Sequence, residues 1–186
     1  MLRRLGLRPW MDLPGRLLAG LLSLVFVPTL WGVAPVAWAQ VNITTGAGGV
    51  LPVPALSARV IDQTGTLTAE QVRALSDQLQ ALETQRGSQV VILMVPTTQP
   101  EDIAAYAQRV GDNWKIGRRD VGDVLLIVVA LQDRRMRIEV AKTLEGAIPA
   151  LMASRIIERT LKPAFQAGAY ADGLSKAIDQ IDKLIA

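Results

Sequence analysis

Asp62, Thr97, Thr98 and Asp133 are the residues of this chain whose chemistry and placement could build a site. Carboxylates, hydroxyls, backbone carbonyls and water are oxygen donors, and calcium accepts about 6 to 8 of them in flexible geometry. Two carboxylates held together repel unless a cation relieves them. Convergence of Asp62 and Asp133 therefore predicts a modest calcium site, with Thr97 and Thr98 as further ligands. The same two carboxylates beside a metal are the catalytic candidates of a metal-dependent phosphomonoesterase, and Arg134 and Arg135 could grip a phosphate bidentately. Each assignment has a structural alternative. Asp62 can bond the amides of the Gln63-Thr64-Gly65 turn, Asp133 can be an ordinary turn residue, and an arginine pair can be a solvated turn. A second acidic group, Asp120, Asp123 and Glu145, is expected at the opposite edge of the sheet, with plain surface charge as its competing reading.

Composition narrows the chemistry further. The chain has no cysteine and no histidine, which excludes disulfides, thiolate nucleophiles, Cys/His zinc sites and a Ser-His-Asp triad. Acid–base work is left to Asp, Glu, Lys or Tyr. The formal charge of +3 comes from the N-terminal leader, which holds Arg3, Arg4, Arg8 and Arg16 against Asp12 alone. The remainder is neutral, so the basic balance gives no warrant for nucleic-acid binding. No nucleotide cofactor is expected.

The leader itself has the form of an export signal. Its arginines precede an apolar run from Leu17 to Val27, and Ala37-Trp38-Ala39 supplies the small residues of a cleavage site before Gln40. The run is shorter than the roughly 20 residues that span a bilayer, and Pro28 and Pro35 argue against the alternative of an uncleaved anchor. We therefore expect a signal peptide over 1–39, a Gly-, Thr- and Pro-rich flexible linker over 40–57, one folded domain over 58–186, and a periplasmic or outer-side membrane-associated location.

Within the domain, the pattern predicts the elements that must position the candidate site. Thr68 with Gln71 forms a capping-box signature ahead of a stripe of Val72, Leu75, Leu79 and Leu82, and Gly87 stops that helix. Gln89 to Val95 is a β-branched run bounded by Pro96, as in a strand buried on both faces. Pro100-Glu101-Asp102 opens a second helix, with Ile103, Tyr106, Ala107, Val110 and Trp114 as its core face and Gly117 as its stop. A second buried strand, Val124 to Leu131, turns through Gln132-Asp133-Arg134 into Met136–Ala141. There apolar residues alternate with Arg137 and Glu139, the mark of an edge strand wet on one side. Helices over 149–161 and 172–184 follow, with Pro163 and Gly168 expected to separate them. Strand–helix–strand order implies parallel pairing with a right-handed crossover, hence an α/β helix–sheet–helix sandwich, mostly parallel, with one antiparallel hairpin.

These residues also resemble a known family. Val60-Ile61-Asp62 followed by Gly65-Thr66-Leu67, Trp114-Lys115-Ile116-Gly117, and Val124–Val129 running into Asp133-Arg134-Arg135 are similar to motifs of the TPM-domain proteins of thylakoid lumen, photosystem II and bacterial envelope. Ile138-Glu139-Val140, Leu144-Glu145-Gly146-Ala147-Ile148-Pro149, Pro163-Ala164-Phe165 and Tyr170-Ala171-Asp172-Gly173 continue the likeness over nearly all of Arg59–Ile181. The resemblance implies a Rossmann-like α-β-α sandwich, export, calcium binding in some members and a weak acid phosphatase activity proposed for a plant member. It also implies a membrane helix and glycine-rich tail following the domain in bacterial members, neither of which lies before Ala186. The sequence departs from the family at Ala141-Lys142-Thr143, where Gly-Tyr-Gly is usual, and at Gly122-Asp123, where Asn-Gly is usual. The function expected is an accessory module binding an envelope or membrane protein partner, with metal-dependent acid phosphatase as the alternative.

Overall fold

The computed structural model describes residues 49–115 and 123–186. The leader, Gln40–Gly48 of the expected linker, the Gly117 helix stop and Asp120 lie outside the described residues. The elements run β1 (Val60–Asp62), α1 (Ala69–Arg86), β2 (Gln89–Val95), α2 (Ile103–Asn113), β3 (Val124–Ala130), β4 (Arg135–Val140), α3 (Ala150–Ile156), a π-helical turn (Ile157–Leu161), α4 (Lys162–Gln166) and α5 (Tyr170–Ile185). The sheet order is β1-β2-β3-β4. β1, β2 and β3 are parallel, and β4 pairs antiparallel to β3. The chain is an α/β sandwich, mostly parallel, with one hairpin.

Burial of β2 and β3 on both faces sets the layers. Val90, Ile92 and Met94 of β2 and Leu125, Ile127 and Val129 of β3 face a core closed by α1, α3 and α5. The alternate residues, Val91, Leu93 and Val95 with Leu126, Val128 and Ala130, face α2 through Ile103, Tyr106, Ala107 and Val110. Residues alternate sides along a strand, so a run without polar interruption requires cover above and below. Helix α2 is shorter than α1 and α5, and an extended segment completes its layer. Leu51 and Val53 pack on this second core, the Trp114 indole N–H donates to the Pro54 carbonyl at 2.7 Å, and Arg109 Nη2 donates to the Leu51 carbonyl at 2.7 Å. The C-terminal part of the expected linker thus lies against α2 as a strap. Its Pro-rich, aperiodic sequence suits an extended path that needs no strand or helix ladder.

Local signals fix most boundaries. Thr68 and Gln71 form the full capping box of α1, and Gly87 ends it in the left-handed conformation at φ 76°. Asp102 caps α2 by accepting from the Ala104 amide at 2.9 Å. Val60–Asp62 forms a three-residue edge strand for which the sequence pattern predicts no element, being too short to show a period. One expectation needs correction. Pro163 does not separate two helices: the Lys162 amide donates to the Ile157 carbonyl, five residues back, and the chain continues helically through Pro163 to Gln166. The widened turn absorbs the missing N–H and ring clash that a proline brings to an α-helix interior. Gly168, at φ 73°, makes the break.

Where α4 meets α5 the backbones come so close that a Cβ built on Gly173 would stand 2.6 Å from the Ala164 Cβ. Gly173→Ala should destabilise the domain by about 1–3 kcal/mol through overpacking, despite the helix propensity that alanine adds. A lowered urea midpoint at unchanged m-value is the expected result.

Candidate functional site

The carboxyl ends of the three parallel strands share one edge of the sheet, the edge where open α/β sheets place their ligands. Asp62 ends β1, Thr97 and Thr98 follow β2, and Asp133 stands in the turn after β3. The structure brings Asp133, Thr97 and Thr98 into one clasp. The Thr97 hydroxyl donates to Asp133 Oδ1 at 2.7 Å, and the Thr98 amide donates to Oδ2 at 2.8 Å. The Thr98 hydroxyl, almost fully buried, reaches the same oxygen at 3.4 Å. The loop after β2 and the turn after β3 are thereby pinned to each other, and the Gln132 amide adds a backbone bond to the Pro96 carbonyl at 2.8 Å.

Asp62 forms a separate clasp within its own loop. Its Oδ1 accepts from the Thr64 amide at 2.8 Å and from the Thr64 hydroxyl, and its Oδ2 accepts from the Leu67 amide at 2.9 Å. The Thr64 and Thr66 hydroxyls are bonded at 2.6 Å. The Asp62 clasp lies within the loop after β1 and the Asp133 clasp joins the loops after β2 and β3, and the two share no hydrogen-bond partner. Among the described residues, no three acidic side chains are grouped as a metal ion would require.

The two carboxylates are electrostatically alike. Burial pushes the Asp62 pKa up, but the Thr64 hydroxyl and the amides of Leu67, Thr64 and Thr66 outweigh it and hold the group below its ordinary value. At Asp133 burial likewise acts upward and is outweighed by the Thr98 amide, the Thr97 and Thr98 hydroxyls and the positive charge of Arg135. Both side chains are therefore anionic at neutral pH.

The arginines after Asp133 do not form a fork. Arg134 takes a left-handed turn conformation at φ 53° and is exposed. Arg135 reaches away to the α2 cap, with Nη1 2.9 Å from Asp102 Oδ2. Of the second acidic group, Asp123 immediately precedes β3, and its carbonyl accepts the Gln89 amide at 2.7 Å. The Ala141 amide bonds the Val124 carbonyl at 3.0 Å, so the turn carrying exposed Glu145 starts from this opposite edge. Tyr106 and Trp114 are core residues. The Tyr106 hydroxyl is buried without a hydrogen-bond partner, and its pKa is pushed up to about 12, mainly by burial. Thr64 and Thr66 are the site residues that sequence reading passed over. The Asp-x-Thr-x-Thr spacing from Asp62 was their available signal.

A parallel three-strand platform with an antiparallel edge hairpin and acidic clasps in the loops at its carboxyl edge defines a class of α/β sandwich domains. The TPM domain model matches residues 60–184, and the chain belongs to this family. Among solved structures, it is similar to the N-terminal domain of a P. gingivalis protein determined in solution, at 28% identity and TM-score 0.64, over 71% of this chain and 87% of that one. The BA42 protein of the psychrophilic bacterium Bizionia argentinensis shares the fold at 22% identity and TM-score 0.57, over 64% and 81% of the two chains. The N-terminal domain of cg2496 from Corynebacterium glutamicum shares it at 12% identity and TM-score 0.57, over 74% and 87%. No curated protein matches the sequence.

The Asp62 clasp carries a signed pH dependence. A carboxyl whose folded pKa is depressed contributes stability that is present above its unfolded value and is lost as pH falls through the folded value. Asp62→Ala should cost about 1–3 kcal/mol at neutral pH by leaving loop donors unpaired. The gap to the parent should narrow as pH drops below the ordinary value of 3.8. Urea titrations at neutral and acid pH check this; a gap that does not change with pH would deny the carboxylate charge its role.

Proposed function

We propose that the chain is an exported accessory module of the cell envelope, which binds a protein of an envelope or membrane complex and whose carboxyl-edge loops are ordered by calcium. The observation that carries this reading is the state of the two carboxylates. Both are held anionic and pre-oriented, Asp62 by donors from its own loop and Asp133 by donors from the loop after β2, which suits a cation or a fixed recognition surface and does not suit a general acid at neutral pH. Rigid loops on a buried scaffold are a usual place for recognition. Export is supported by the arginine-led apolar leader and the Ala37-Trp38-Ala39 site.

Calcium titration of Gln40–Ala186 by calorimetry and backbone NMR tests the metal part of this reading. This segment includes every described element, and the P. gingivalis relative was solved as an isolated domain. Saturable binding that shifts the amides around 62, 97 and 133, and that fails in Asp62→Asn and Asp133→Asn, is the expected result. No binding at millimolar calcium would remove the metal from the proposal.

A second reading, a metal-dependent phosphomonoesterase working through Asp62 and Asp133, is favoured by one arrangement. A carboxylate and two hydroxyls meet at a strand end beside Arg134 and Arg135, and the matching family model is named for a TPM phosphatase. Turnover of a generic phosphate ester by the purified protein should then be abolished by Asp133→Asn with the fold intact. A variant of full activity would remove Asp133 from the chemistry.

A further inference from the structure

Among the described residues, β4 ends the sheet and no strand pairs with its outer side. The Ala141 amide bonds the Val124 carbonyl directly, so 141 and 124 are a hydrogen-bonded pair of the antiparallel ladder. Alternation then turns the N–H and C=O groups of 135, 137 and 139 toward β3 and those of Met136, Ile138 and Val140 outward. A groove of about 710 Å³ runs along this open side between β4 and α3, with Ile138, Ala153 and Ile157 among its walls. Leu151, on the first turn of α3, is 63% exposed. Unpaired strand edges template pairing with another chain, and proteins often blunt them with charged side chains, proline or a bulge. Here the strand carries no proline, and the charges nearest its centre do not repel an antiparallel copy. Arg137 and Glu139, both on the wet face, are of opposite sign and flank Ile138 symmetrically.

We propose that β4 is a self-recognition edge, pairing antiparallel with β4 of a second copy about a two-fold axis through Ile138. This register satisfies backbone and side chains together. Ile138 faces its own counterpart as a hydrogen-bonded pair, and Met136 faces Val140 of the second copy in the same way, so every outward N–H and C=O of the three residues is matched. Arg137 then falls opposite Glu139 of the second copy, twice, at the non-hydrogen-bonded positions where side chains approach most closely. An isologous contact of this kind closes on itself and joins two four-stranded sheets into one. The second copy is the occupant favoured, because the strand's charge pattern is its own antiparallel complement and no foreign peptide has to be assumed. The inference is independent of the loop-edge reading, since residues 136–140 take no part in the clasps of Asp62 and Asp133.

Sedimentation equilibrium of Gln40–Ala186 over a concentration series, with hydrogen exchange at its upper end, tests this. The expected result is a reversible dimer in which the Met136, Ile138 and Val140 amides become protected on dimerisation. Arg137→Glu and Glu139→Arg should each weaken association at least tenfold by opposing like charges across the axis. The double exchange, Arg137→Glu with Glu139→Arg, should restore it. Circular dichroism of the variants confirms the fold. A parent chain that stays monomeric up to about 1 mM would overturn the proposal. So would a dimer insensitive to both single reversals, or one whose 136, 138 and 140 amides exchange freely.

Discussion

The constraint on which this structure rests is the complete burial of β2 and β3 on both faces. No residue of Val90–Val95 or Val124–Ala130 is more than 1% exposed. Paired strands of such composition are insoluble unless both surfaces are covered, so the helices are required by the strands as much as they support them. The C-terminal helices and α1 close one side, and α2 with its strap closes the other. Because the central strands are parallel, their carboxyl ends and following loops gather at one edge, and the polar residues that could act there are brought together by topology.

What happens at that edge depends on the donors each carboxylate takes. Each carboxylate is surrounded by hydroxyls and amides from its own loop or the adjacent one, and its charge is used to hold backbone in place. Hydrogen bonds to an anion are stronger than neutral ones, so short polar loops can be held without a hydrophobic core of their own. The clasp of Asp133 with Thr97 and Thr98 joins the ends of two neighbouring strands. A ligand engaging either loop would meet both as one rigid body.

Much of this is legible in the residues. The capping box at Thr68, the β-branched runs of β2 and β3 and the alternation in β4 are local patterns with direct geometric meaning, and each marks its element. The site is less legible. Asp62, Thr97, Thr98 and Asp133 can be placed at one edge from topology, but which donors each carboxylate takes depends on loop paths that no periodicity encodes. The strap is hidden for a related reason: Leu51, Val53 and Pro54 have no pattern of their own, and their place is set by the Trp114 indole and the Arg109 guanidinium. Strand β1 is hidden by its length.

The widened turn before Pro163 bears on how the third layer is phased. The buried positions of this helix run Ala153, Ile156 and then Leu161. In an α-helix, at about 100° per residue, the five-residue step from Ile156 to Leu161 would leave the two side chains about 140° apart around the axis. The π-helical turn lags the rotation, so that Leu161 returns to the sheet and Phe165 follows it toward Tyr170, whose ring it meets edge-on at 5.0 Å. The irregular turn works as a phase adjuster, letting one continuous helical rod present a single apolar seam from a sequence whose spacing changes partway along.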